Sequence, residues 1–394
     1  MELCATYSGI RVLDLSTNIA GPFAAMILGD LGADVIKIER PPAGDDTRSL
    51  PPDWSGEATV FLAVNRNKRS VVLDVKTAAG REALLRLAAR ADVVIESFPP
   101  GLAHELALTH RDFLERNRRI TLCSVSAFGP GPKGSKTPGY DALVQAMSGM
   151  MSFTGEPGGR TVRIAPSLLD LTTGMWAAIG IMAALARRSP HSDGEHLHAV
   201  LLDSAFALMC HQILSYLATG QPPTKLGSGA PSAVPYRVFE AADGEFLLAT
   251  ATDAQFARLC RVLGLESLTQ DDRFRTMPAR LASRDELDAI LAARFSAGTV
   301  ESWLQQLAGA GLSVSRVNEL PVALEADLTA ERGLLIELQQ AGSSSGLSLL
   351  RLPIDEQGQC IRRPPPRLGE HSAEVLEAIG YDADSIRRLS ALRP

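Results

Sequence analysis

Residues 9–40 read GIRVLDLSTNIAGPFAAMILGDLGADVIKIER, and this stretch decides the fold. Arg11 to Leu15 is a short apolar strand, Pro22 to Leu31 a helix of small and apolar residues, and Asp34 to Glu39 alternates as a second strand. The rhythm continues with a helix over Gly80 to Ala89 and an apolar strand over Asp92 to Glu96. Strands alternating with helices predict an α/β fold of Rossmann-like, doubly wound type, whose right-handed crossovers build a parallel sheet. No G-x-G-x-x-G follows the first strand, which argues against a nicotinamide oxidoreductase.

The chain has 394 residues, 45% of them hydrophobic, enough for a large core and more than one domain. A net charge of -6 with no basic run argues against nucleic-acid binding. Cys4, Cys123, Cys210, Cys260 and Cys360 are scattered without C-x-x-C spacing, so neither a disulfide framework nor a zinc site is indicated. His196 and His198 alternate along a strand read over His196 to Leu202, which is one face of a half-buried strand; with no third ligand nearby, no metal is expected. There is no charged segment leading into an apolar one at the N-terminus, and no uninterrupted apolar stretch of about 18 residues, so a soluble, cytoplasmic protein without a membrane partner is expected.

Texture changes at the turn-rich loop Gln221 to Ser232, followed by a hairpin at Asp243-Gly244 and amphipathic helices over Ala254 to Leu263, Arg284 to Phe295 and Val300 to Ala310. This predicts a large domain over 1–220, a smaller α+β domain over 221–321 and a C-terminal segment over 322–394 with a final helix from Ser372.

Ser167 to Asp170 lie between Pro166 and the run Met175 to Leu185, too long for a strand and read as a buried helix closed by Arg187 and Arg188. Asp170 is then at or near the N-cap, where backbone N–H groups and the helix dipole are expected to keep its carboxylate ionised. An aspartate there is a cap or a nucleophile, and local features leave both open.

The wider chain resembles the type III CoA-transferases, the CaiB/BaiF family, which includes formyl-CoA transferase and the succinyl-CoA:dicarboxylate CoA-transferases. The resemblance rests on Gly9 to Leu15, Ala20-Gly21-Pro22, Leu28 to Arg40, Asn65 to Asp74, Ala91 to Gly101, Pro138 to Asp141, Leu168 to Gly174 and Leu368-Gly369-Glu370-His371, in family order and spacing. It implies that Asp170 is the nucleophile, that CoA esters are substrates with no cofactor bound permanently, that the C-terminal segment returns to the large domain, and that two subunits interlock as a homodimer. It places the family's glycine loop at Gly227 and Gly229, here Gly-Ser-Gly rather than consecutive glycines, so that an ordinary interdomain linker stays open beside a catalytic flap. It sets Arg40 toward the adenosine phosphate and Leu73, Lys76, Ser97 and Phe98 around the nucleotide and pantetheine, although Arg40 and Lys76 taken alone also read as solvated charges. Asn18, with Thr17 and Ile19, falls among residues lining the site but differs from formyl-CoA transferase; Tyr140 and Asp141 match an aromatic-acidic pair beside it. Glu105 stands where relatives often carry a phosphate-binding arginine, so His104 or another base substitutes or the contact is missing.

Tyr140 also separates branches. The similar α-methylacyl-CoA racemases carry histidine there, and tyrosine, with a pKa of about 10, is a poor second base for proton exchange. A racemase and a catalytically silent CoA-binding paralogue are the alternatives to a transferase. Arg163, seven residues before Asp170, suits bidentate pairing with the second carboxylate of an acceptor acid, or else is exposed on a glycine-rich turn. The expected reaction moves CoA from succinyl-CoA to a short dicarboxylic acid, with itaconate or another C5 acid favoured, through an aspartyl anhydride and an aspartyl-CoA thioester.

Overall fold

The computed structural model describes residues 3–54, 56–189, 191–338 and 346–390. The chain divides into two compact units, one comprising Met1–Met150, Ile164–Thr219 and Ala330–Pro394, the other Met151–Arg163 and Gly220–Thr329. Met151–Arg163, read above as part of the large domain, therefore groups with the second unit.

The first unit is built on β1 (Arg11–Asp14), α1 (Ala20–Asp30), β2 (Asp34–Glu39), β3 (Lys68–Val72), α2 (Ala78–Ala88), β4 (Val93–Glu96), β5 (Thr121–Ser126), α3 (Asp141–Met147), α4 (Leu168–Arg187) and β6 (His196–Val200). Its six strands are all parallel, in the order β3-β2-β1-β4-β5-β6. The order reverses between β1 and β4, and in open α/β sheets ligands bind outside the carboxyl ends of the strands at such a reversal. Val12, Leu13, Val35, Ile36, Val93, Val94 and Ile95 are near-continuously buried, as strands covered on both faces require.

Four charges are also buried there. Lys37 in β2 bonds Asp45 at 2.8 Å and lies 3.7 Å from Asp14; Lys68 in β3 bonds Asp14 at 2.8 Å and also donates to the Pro22 carbonyl and to Asn65 Oδ1, each at 2.8 Å. Asp14 takes a further short hydrogen bond from the Ser16 hydroxyl. Facing carboxylates outweigh burial at Lys37 and raise its pKa, whereas burial and the Lys37 charge push Lys68 down to about 8. Beside them Glu39 takes both arms of Arg48 at 2.8 Å and the Ser70 hydroxyl at 2.6 Å.

The C-terminal segment covers the β3 edge of the sheet. Ser70 and Val72 present outward-facing backbone groups, to which His371 N–H (2.9 Å), His371 Nδ1 (3.3 Å) and Ser372 Oγ (3.1 Å) bond, closing an edge that would otherwise template pairing. Val375, Leu376 and Ile379 then join the core formed by Leu13, Ile36, Val71 and Val94. The motif Leu368 to His371 is thus an edge cover.

α4 packs along α1. A Cβ at Gly174 would stand 2.6 Å from the Ala20 carbonyl oxygen and 3.0 Å from the Phe23 ring, so glycine lets the two helices approach this closely. By length and mean hydropathy (1.6) α4 is apolar enough to cross a membrane, although Asp170, Thr172 and Thr173 interrupt it, so it is not an unbroken apolar stretch of the kind the sequence was expected to lack. Its Leu169, Thr173, Ala177, Ala178 and Ile181 are buried in the fold, while Met175, Trp176 and Ile179 are exposed.

The second unit carries an antiparallel sheet of β7 (Tyr236–Ala241), β8 (Gly244–Ala249) and β9 (Ser313–Arg316), with β8 in the middle. Helices α5 (Asp253–Leu263), α6 (Arg284–Phe295) and α7 (Val300–Gly309) supply Phe256, Leu259, Leu291, Phe295 and Trp303 to a core with Phe239, Phe246 and Leu248.

Removing one partner of a buried ion cluster strands the others, at a cost of about 3–5 kcal/mol. Lys37→Met, which leaves Asp45 without its cation, is expected to lower the urea midpoint by that equivalent with an unchanged slope; a loss under about 1 kcal/mol would show that the cluster does not hold the strand ends.

Candidate active site

Helix α4 begins after Ser167, whose side chain makes no capping bond. The cap is supplied from α3: Asp141 Oδ2 accepts the N–H groups of Leu169 (2.7 Å) and Asp170 (3.3 Å). Asp141 is buried, and its other oxygen accepts from Gln145 Nε2 at 2.6 Å, one turn along α3. Gln145, wholly buried, also accepts the Ile164 N–H at 2.9 Å through Oε1. The N–H of Leu168 goes to the Pro166 carbonyl at 2.7 Å. The first donors of the helix are thereby consumed without Asp170.

Asp170 is in the first turn, three residues inside the cap, and not the cap itself. Among the described residues no side-chain hydrogen bond reaches its half-buried carboxylate. Burial, helped by the Asp141 charge, pushes its pKa up to about 7, which reverses the expectation that the helix terminus keeps it ionised. The donors that were to stabilise Asp170 belong to Asp141. A carboxylate with free lone pairs and raised basicity is a better nucleophile or base than an ordinary aspartate.

Tyr140 precedes Asp141 as the N-cap residue of α3, with its side chain 68% exposed. Across the β1/β4 reversal, Thr17 N–H donates to Ser97 Oγ at 2.9 Å. Asn18 sits beside it in the left-handed region (φ 67°), its N–H on Asp45 Oδ1 at 3.2 Å, which ties this loop to the buried charges. Phe98 is partly buried against the core and donates its N–H to Glu96 at 2.6 Å. Thr17, Asn18, Ser97 and Phe98 thus share the carboxyl ends of β1 and β4.

Arg40 follows β2, exposed and paired with Asp46. Lys76 is exposed at the turn after Asp74, which accepts its backbone N–H at 3.1 Å. Leu73 is 1% exposed and belongs to the core, so its side chain is closed to any ligand and only its backbone is available. His104 and Glu105 end a short exposed helix, Leu102–Glu105.

Gly227, Gly229 and Arg163 belong to the second unit. Gly227 has φ 59° and donates to the Gly155 carbonyl at 2.9 Å; a Cβ there would strike the Glu156 carboxylate at 2.3 Å. Gly229 donates to the Leu226 carbonyl at 2.9 Å, and Lys225 Nζ reaches the carbonyls of Gly159 and Arg160, each at 2.9 Å. The Gly-Ser-Gly run is thus a turn bonded to Met151–Arg163. Arg163 is exposed at the end of that segment.

Sequence reasoning missed Gln145. Its signal was the four-residue spacing from Asp141 on one helix face.

Residues 7–372 match the family model described as CoA-transferase family III. A mouse protein (Mus musculus) named succinyl-CoA:glutarate CoA-transferase is 36% identical over 97% of this chain and 88% of its own length. An Agrobacterium fabrum protein named succinate–glutarate CoA-transferase is also 36% identical, over 94% of each chain. A crystal structure of a CaiB/BaiF family protein from Brucella suis superposes with a TM-score of 0.83 at 35% identity, covering 94% of this chain and 98% of that one.

Asp170 ionises in the folded chain only as pH rises through about 7, whereas it does so near 4 when unfolded. The folded state holds the extra proton between those values, so the charged group costs stability that is fully felt above about pH 7 and vanishes below about pH 4. Asp170→Asn is therefore expected to raise the thermal midpoint at pH 8 and leave it unchanged at pH 3.5; equal midpoints at both would show that Asp170 has an ordinary pKa.

Proposed function

The chain belongs to CoA-transferase family III, and from that premise we propose that it moves CoA from succinyl-CoA to a short dicarboxylic acid with Asp170 as the nucleophile. The observation that carries this reading is the half-buried Asp170 carboxylate, free of hydrogen bonds, in the first turn of α4 beside Asp141.

Attack of that carboxylate on the thioester forms a mixed succinyl-aspartyl anhydride and expels CoA thiolate. The thiolate attacks the Asp170 carbonyl, forms the aspartyl-CoA thioester and releases succinate. The acceptor carboxylate attacks this thioester to give a second anhydride and free the thiolate again. The thiolate then takes the acceptor acyl group, and Asp170 leaves as a carboxylate. An ordinary aspartate is roughly four and a half pKa units less basic than a thiolate; at about 7 Asp170 narrows that gap to between one and two. The first step is correspondingly less uphill.

Gly227 and Gly229 are assigned to the family's glycine loop by resemblance; their own N–H groups are held by the Gly155 and Leu226 carbonyls, so neither is assigned as an oxyanion donor. Arg163 is assigned the second carboxylate of the acid. For CoA we assign Arg40 and Lys76 to phosphate, and Ser97, Phe98, Asn18 and the Leu73 backbone to the nucleotide and pantetheine, with Tyr140 and Asp141 beside the reacting atoms. The two glutarate relatives support a C5 acceptor, glutarate first and itaconate next. Apolar residues left exposed, Trp176 and Ile179 on α4 and Leu214 and Leu217 beyond it, support a homodimer.

Incubation with succinyl-CoA and glutarate, itaconate, mesaconate or oxalate, followed by mass spectrometry, is expected to show transfer to a C5 acid and a CoA adduct on the Asp170 peptide, both lost in Asp170→Ala. Undiminished transfer in that variant would remove Asp170 as nucleophile. Exchange of the α-proton of a 2-methylacyl-CoA with no transfer would replace the reading with a racemase.

A further inference from the structure

Asp141 and Asp170 are two carboxyl groups at one helix start, and only one has donors. What keeps that division is a third residue. Asp141 Oδ1 has its bond from Gln145 Nε2 (2.6 Å), and Gln145 Oε1 has its own from the Ile164 N–H (2.9 Å), with Nε2 also 3.4 Å from the Ile164 carbonyl. A carboxamide is the side chain that donates to a carboxylate at one end while accepting a backbone N–H at the other; a glutamate would lack the donor and a leucine both functions. Because Oε1 is committed to Ile164, the amide presents N–H and not oxygen to Asp141, and Asp141 is held as an acceptor with Oδ2 aimed at Leu169 and Asp170. We propose that Gln145 is a positioning residue for the transfer reaction: it fixes Asp141 as the charged cap of α4 and thereby sets the field in which the Asp170 carboxylate reacts. This rests on the reading of Asp170 as nucleophile.

Asp141 is the charge that acts on Asp170 among the described residues. The other elements packed on α4 contribute little at this end. α1 carries Asp30 alone, buried at its far end against Arg66. β6 starts with His196 and His198, near Glu195, which pairs with Arg187 at the opposite end of α4. Helix Leu201–Leu208 has Asp203, exposed, beside the Ser204 hydroxyl that accepts from Thr173. Loss of the Gln145 amide releases Asp141 Oδ1, so the Asp141 carboxylate can turn away from the α4 terminus; its charge then no longer faces Asp170 and the Leu169 and Asp170 N–H groups are freed, both of which let Asp170 ionise at lower pH.

The test is the pH dependence of isotope exchange between carbon-13-labelled succinate and succinyl-CoA, which needs no knowledge of the acceptor. Gln145→Met is expected to lower kcat by roughly tenfold or more and to move the acidic limb down by about one pH unit. Asp141→Asn is expected to move the limb the same way, and adding Gln145→Met to it to do nothing further, since both act through one group. Gln145→Asn, too short to span Asp141 and Ile164 yet polar, gives the same readings if the methionine variant does not fold. A reduced kcat with the limb unmoved, or additive effects in the double variant, overturns the positioning role. Asp170→Ala decides the underlying reading separately: exchange persisting there removes the nucleophile, whereas exchange lost there with an unmoved limb in the Gln145 variant removes only the role of Gln145.

Discussion

Two lysines and two aspartates closed off from water tie the carboxyl end of β1 to β2, to the first residue of β3 and to the loop after β2, and this part of the sheet is arranged around them. An unpaired charge in such a place is prohibitive, so each partner must sit within hydrogen-bond reach of its opposite. Lys68 reaches the Pro22 carbonyl and so ties β3 to the first turn of α1; Asp45, held by Lys37, accepts the Asn18 N–H and so fixes the loop after β1. The strand ends, the helix behind them and the crevice at the β1/β4 reversal are set by one electrostatic arrangement.

The Asp170 carboxylate, proposed as the nucleophile, follows the opposite rule. Asp14 and Asp45 are buried and paired, and their pKa values fall; Asp170 is half-buried with no side-chain hydrogen bond among the described residues, and its pKa rises. The difference comes from where hydrogen bonds have been assigned. Asp141 absorbs the donors of the α4 terminus, and Asp170, which would have been stabilised there, keeps a raised pKa.

Much of this was legible in the sequence where residues act through periodicity. The strands at Arg11, Asp34 and Asp92 and the helices at Pro22, Gly80, Asp253 and Arg284 carry patterns that depend on local spacing alone. β3 was not read as a strand because Lys68 and Arg69 resemble a solvated turn; their burial depends on Asp14 and Asp34, distant in sequence. β5, with Thr121 and Ser124 in its run, had no clean alternation. At the site, Asp170 and Asp141 were found through motif resemblance, but which of them caps the helix is a matter of three-dimensional competition for the same N–H groups. Leu73 was placed among ligand contacts because a motif position says nothing about the direction of a side chain.

The close crossing of α4 and α1 at Gly174 has a consequence for how such a protein can change. With the Ala20 carbonyl and the Phe23 ring both against Gly174, the start of α4 is seated on main chain and side chain of α1 with no room for a Cβ. A side chain at position 174 would push α4 off α1 and carry the Asp170 carboxylate, one turn away, with it. Inheritance is therefore freer at positions away from this crossing than at Gly174 itself.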